Sequence, residues 1–162
     1  MALLLLDHLG YHLQCQLEVE KIIKIVQRLV HKYKVDCDDI AIIAPHRAQN
    51  NAIRLALQQS LDLELDQLPL IDTVERIQGA EREIVIFSLT TSDADYMENE
   101  FLNNPNRFNV AITRAKRKLI VIASQHFFYN IAHNEEALIN NQCFKSFLEY
   151  CNSNNCIFQT AK

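Results

Sequence analysis

The chain has 162 residues, 49% of them hydrophobic and 22% charged, which is the balance of one globular domain and excludes wholesale disorder. Its net charge of −4 excludes a protein that grips nucleic acid by overall charge, so any such contact must be local or shared with another domain. Five cysteines, an odd number without framework spacing, point to reduced thiols. The spacing C-x7-C-x4-C at Cys143, Cys151 and Cys156 is not a usual zinc pattern, and no metal is expected.

Leu3 to Leu6 is an apolar run stopped by Asp7, and it reads as a buried strand. The run is too short for a secretion signal and has no basic residue before it. No stretch reaches the ~20 apolar residues of a membrane span. The expectation is a soluble chain of the cytoplasm or nucleus.

From Leu17 to Lys34 the apolar residues Ile22, Ile23, Val26, Leu29, Val30 and Tyr33 fall on one helical face. Ile40 to Ala44 is a second buried strand, ended by Pro45. Helical spacing returns from Arg47 to Ser60. A mixed connection over 61–69 leads to an extended segment, Leu70 to Val74, and a turn at Gln78-Gly79. Ile84 to Leu89 is the clearest strand, followed by a polar loop from Thr90 to Glu100. A helix is expected over Asn106 to Lys116, then a strand over Leu119 to Ala123. Two helical patterns close the chain, near Gln125 to Ala132 and Glu135 to Cys151. The Asn-rich segment Asn152 to Asn155 reads as a turn or a frayed end, within a tail over 152–162.

Strands that are apolar throughout and alternate with helices predict an α/β fold, a mainly parallel sheet between two helical layers. The core is expected over about 3–132. Such sheets bind ligands beyond the carboxyl ends of their strands, which directs attention to three segments.

The first is PHRAQ, Pro45 to Gln49. Arg47 follows a strand and opens a helix, where a guanidinium suits a phosphate. The second is Asp72 to Glu81, DTVERIQGAE. Gly79 permits a tight turn and a close ligand approach, and Gln78 and Glu81 flank it with groups suited to ribose hydroxyls or a metal-bound water. The third is Arg107 to Lys116, RFNVAITRAK. If it is helical, Arg107, Val110 and Arg114 share one face, and a packed helix would hold an arginine rigidly. Each segment also has a plainer reading, as a surface arginine, a turn or a solvated basic helix.

Taken in order, the three resemble motifs IV, V and VI of superfamily 1 helicases, nearest the branch of the nonsense-mediated-decay RNA helicase and the Okazaki-fragment nuclease-helicase. The resemblance covers about Leu3 to Phe127. It implies the second, C-terminal RecA-like (P-loop NTPase-like) domain of an ATP-driven motor. It implies that Arg47 and Arg114 reach the γ-phosphate of ATP, with Gln78, Gly79 and Glu81 near the phosphate and ribose. Thr73 and the segment containing Ser88, Thr90 and Thr91 match the part that touches single-stranded DNA or RNA or couples it to ATP. His46 stands where the family usually has tyrosine, Ile77 where an aromatic is common, and Cys15 where an asparagine often begins the first helix. The sequence has no G-x-x-x-x-G-K-[ST], and Gly10 and Gly79 are its only glycines. The chain is therefore expected not to hydrolyse ATP alone. ATP with Mg²⁺ would be held mainly by an N-terminal RecA-like partner domain of a longer protein. The competing expectation is a stand-alone, non-catalytic module that binds nucleic acid or protein.

Overall fold

In a computed structural model, residues 1–77, 79–93, 96, 104–131 and 134–159 are described. Six strands form one sheet: β1 (Ala2–Leu6), β2 (Ile40–Ile43), β3 (Leu70–Asp72), β4 (Arg82–Ser88), β5 (Ala115–Ser124) and β6 (Ile157–Gln159). Their order is β3-β2-β4-β5-β1-β6, and every pair is parallel. Among the described residues no helix is long and apolar enough to cross a membrane.

Alternation along the strands sorts side chains between two faces. Ile40, Ile42, Ile86 and Ile122 point to one face, where α1 (Gln16–Gln27) and α2 (Arg47–Leu61) bury Val19, Ile22, Val26, Ile53 and Leu57. Ala41, Ile43, Val85, Phe87 and Val121 point to the other. There α3 (Pro105–Ile112), α4 (Gln125–Tyr129) and α5 (Glu135–Ser153) bring in Phe108, Phe127, Phe128, Phe144 and Phe147. Phe108 is the hub of that aromatic layer, with ring centroids 4.8 Å from Phe144 and 5.2 Å from Phe147, both edge to face. The result is the three-layer α/β architecture the strand pattern predicted.

Three boundaries differ from expectation. The helix expected over Asn106 to Lys116 stops at Ile112. Thr113 Oγ1 turns back onto Asn109 O at 2.8 Å, and Ala115 to Lys118 join β5 beside β4, with Arg82 N donating to Arg114 O at 3.1 Å. Sheet pairing outweighs the local helical spacing at Ala115 and Lys116. The second difference is the tail. Ile157–Gln159, within the expected tail, pairs with β1 as an edge strand. The third is the core, which continues past residue 132: Phe144, Phe147 and Cys151 of α5 share the cluster of β4 and β5.

Candidate functional site

Two ends of the sheet carry the residues singled out from the sequence. At the carboxyl end, β2 runs through Pro45 into α2, so Arg47 is the first helical residue and is exposed. The side chain of His46 makes no cap to α2. It instead lies 3.3 Å from Thr91 Oγ1, and burial lowers its pKa below 6.5. Thr73 is buried after β3. Its N–H donates to Asp72 Oδ1 at 2.8 Å, and its carbonyl accepts from Arg76 and Ile77.

At the amino end of β4 and β5 sit Gly79, Glu81 and Arg114. Gly79 has φ +86°, a left-handed conformation that excludes most other residues. Glu81 is exposed beside it. Arg114 occupies the turn between α3 and β5, not the helix expected for it. It is half-buried, and its Nε donates to Val110 O at 3.1 Å. The bond from Arg82 N to Arg114 O ties this turn to the segment of Glu81. Gln78 lies outside the described residues.

The ladder therefore sets Arg47 and Arg114 at opposite ends. Ile43 pairs with Phe87 and Ala115 with Arg82, a separation of roughly 16 Å along β4 at about 3.3 Å per residue. Of the wider basic cluster, Arg107 pairs with Glu75 at 2.9 Å and Arg117 with Glu83 at 2.8 Å.

Ser88, Thr90 and Thr91 are brought together, but in the interior: all three are 0% exposed. Ser88 and Thr90 share a partner, Glu18 in the first turn of α1, while Thr91 Oγ1 donates to His12 O at 2.8 Å. Glu18 Oε2 accepts from Ser88 Oγ at 2.5 Å and from Thr90 N at 3.0 Å, and Oε1 lies 3.0 Å from His8 Nε2. His8 Nδ1 lies 3.0 Å from Ser92 Oγ. Gln49 donates to Ser88 Oγ at 3.1 Å and accepts from Cys15 N at 2.8 Å, which fixes the start of α1 from α2. Thr90 has φ +66°. This is strained for a β-branched residue, and the carboxylate of Glu18 holds its N–H in place.

A signal for this network is present in the sequence. Glu18 precedes Ile22 and Val26 at steps of four, and Gln49 precedes Ile53 and Leu57 in the same way. Each is a polar residue in phase with a buried stripe. Ligand atoms of His8, Cys15 and Glu18 also lie within 4.8 Å of one another. His8 and Glu18, however, are already bonded to each other and to their neighbours.

Burial, and next the carboxylate of Glu18, push the Cys15 thiol from 9.0 up to about 12. Below pH 9 the thiol is protonated in both folded and unfolded chains. Above it the unfolded chain ionises first, so the fold is expected to lose stability as pH rises from 9 toward 12. Iodoacetamide at about pH 8 should leave Cys15 unmodified in the folded chain, because a buried thiol offers little thiolate. Mass spectrometry reads this directly, and rapid alkylation of Cys15 would show that the start of α1 opens readily.

Comparison with known proteins gives a consistent set. A family described as an AAA domain matches residues 9–126. The chain is 32% identical over 151 residues to the putative helicase MOV-10 of Gallus gallus, covering 83% of this chain and 14% of that protein. It is 35% identical over 126 residues to the RNA helicase Mov10l1 of Homo sapiens, covering 75% of this chain and 9% of that one. The chain thus spans about a seventh or less of the length of these relatives. Among solved structures it resembles the C-terminal domain of a possible DNA helicase from Lactobacillus plantarun WCFS1, with a TM-score of 0.54 at 14% identity, covering 82% of this chain and 80% of that one. That likeness is one of fold.

Proposed function

Since this chain belongs to the AAA domain family, with superfamily 1 helicases as relatives and the fold of a helicase C-terminal RecA-like domain, we propose that it is the second motor domain of an ATP-dependent nucleic-acid helicase, with 1–162 as one RecA-like unit. The observation that carries this reading is the pairing, at one end of the sheet, of a half-buried arginine on a turn with a left-handed glycine and an exposed carboxylate. Arg114 stabilises negative charge on the transferring phosphoryl group. Gly79 and Glu81, with Gln78 before them, face the nucleotide. Arg47 contributes a second guanidinium from the carboxyl end. ATP with Mg²⁺ is held mainly by an N-terminal RecA-like domain, which supplies the phosphate-binding loop that this sequence lacks.

The strand-coupling role falls on Thr73, Ser88, Thr90 and Thr91. Since these side chains are buried, they act by setting the shape of the carboxyl-end loop rather than by covering a strand of DNA or RNA themselves. Domain closure on ATP and opening after hydrolysis would then shift the grip on the strand.

The test is complementation. The chain alone should show no ATP turnover above background. Joined to a RecA-like domain that carries the phosphate-binding loop, it should restore turnover that rises with added single-stranded nucleic acid. Failure of the joined protein to hydrolyse ATP, with both domains folded, would rule this reading out.

A further inference from the structure

Tyr33 does not point where its spacing predicts. It follows Val26 by seven positions and Leu29 by four, so a continued α-helix would turn it inward with the buried stripe of α1. Instead the helix widens after Gln27 into a π-helical turn, Arg28–Lys32, and Tyr33 N donates to Arg28 O at 3.2 Å, five residues back. Such a turn winds less per residue, and Tyr33 emerges 56% exposed. There its ring meets two cations: Arg28 Cζ stands 5.9 Å from the ring centroid and Lys32 Nζ 5.6 Å. Turns of this kind are rare and frequently mark functional places.

The two cations belong to a longer row. Lys21, Lys24, Arg28 and Lys32 recur at steps of three and four, which sets them along one flank of the helix over roughly 16 Å at about 1.5 Å per residue. The other flank faces α2, where Gln27 Nε2 donates to Ser60 O at 3.3 Å. Lys24 and Lys32 are exposed, Lys21 and Arg28 half-buried. Glu20 stands one turn before Lys24, yet among the described residues none of the four cations forms an ion pair with a carboxylate. The negative end of the helix accounts for Lys32, but its field fades within the last turn and does not account for Lys21 or Lys24. The helix starts beside Ser88 and runs back against the direction of the strands, so the row extends away from the carboxyl-end loop.

We propose that this flank of the first helix binds the sugar-phosphate backbone of a nucleic-acid duplex, with Lys21, Lys24, Arg28 and Lys32 on phosphates and Tyr33 positioning two of them. The row runs along the outside of a helix, and the Tyr33 ring already carries cations. A single strand is held in a groove with free aromatic faces on which its bases stack. A duplex needs neither, and it presents one charge per about 1.7 Å along a stiff surface, a denser and more regular row than an acidic protein segment offers. That a duplex is present rests on the motor reading. The contact itself uses neither ATP nor the loop of Ser88, Thr90 and Thr91, and the motor reading gives this flank no role.

The test is a fluorescence anisotropy titration of the 162-residue chain with a short labelled DNA duplex at low salt, beside a single strand of the same length and polyglutamate. Saturable duplex binding is expected, with log K falling against log salt at a slope of about −3 to −4, since each phosphate neutralised contributes about −0.9. Lys24→Gln and Lys32→Gln together should weaken duplex binding about tenfold and take about 2 off that slope, while single-strand binding stays as in wild type. Tyr33→Ala should cost about threefold and Tyr33→Phe clearly less, because the ring face is what holds the cations. Thermal melting checks that each variant folds. If Tyr33→Ala does not, the lysine pair carries the test, because both side chains are exposed. A wild-type chain that does not bind the duplex, or a lysine pair variant that binds it as wild type does, overturns the proposal. So does tighter binding of polyglutamate than of the duplex, which would mark the flank as a surface for an acidic protein. A lysine pair variant that loses the single strand and keeps the duplex would overturn it as well. None of these titrations involves turnover, so failure here and failure of the complementation test are separate results.

Discussion

Replacing Arg114 with alanine, in this domain joined to an ATP-binding RecA-like partner, is expected to lower ATP turnover by about 10³-fold or more while leaving nucleic-acid binding measurable. The physical reason is that a guanidinium aimed at a transferring phosphoryl group acts on charge that develops in the transition state. The structure supplies the rigidity such a role needs. Arg114 stands on a two-residue turn locked on both sides, with Nε donating to Val110 O and its carbonyl accepting from Arg82 N. The loss should not come from unfolding. The bond to Val110 O is one ordinary hydrogen bond, worth about 0.5–1.5 kcal/mol net. Steady-state ATPase and filter binding on the same preparation separate the two effects. Arg114→Lys should recover only part of the activity, because its point charge lacks the planar fork. Undiminished turnover in Arg114→Ala would remove the arginine from the catalytic role.

The largest effect on stability is expected at Glu18. Its carboxylate is fully buried and takes Ser88 Oγ and Thr90 N on one oxygen and His8 on the other. In Glu18→Ala these donors lose their acceptor at once, and Thr90 loses the bond that holds its left-handed backbone. Removing one partner of such a buried set typically costs about 3–5 kcal/mol, which is a large share of the ~5–15 kcal/mol that keeps a domain folded. Glu18→Gln keeps the shape and one acceptor, and should cost clearly less. Urea denaturation followed by circular dichroism measures both. A loss below about 1 kcal/mol for Glu18→Ala would mean that apolar packing, not this carboxylate, sets the carboxyl-end loop. In the motor the same substitution should loosen the coupling of ATP to strand binding, since Ser88 and Thr90 lose their common anchor.

Much of this was legible in the residues themselves. Runs such as Ile84 to Leu89 and Leu119 to Ala123 must be buried on both faces, and alternating them with amphipathic helices leaves a parallel sheet between helical layers as the economical solution. The left-handed turn at Gly79 was legible too, because only two glycines exist and each takes a positive φ. Other features were settled only in three dimensions. The fate of Ala115 to Lys118 depends on the neighbouring strand β4, which local spacing does not encode, so Arg114 moved from a helix to a turn. The three-residue strand β6 has too little sequence to announce itself and exists because β1 offers an open edge. Glu18 and Gln49 lie 31 positions apart in the sequence and are joined, through Ser88 Oγ, only when α1 and α2 pack on the sheet. A buried carboxylate is tolerable only where donors from other elements converge on it. Periodicity can place a polar residue on a buried face, but the tertiary fold alone decides which donors it meets there.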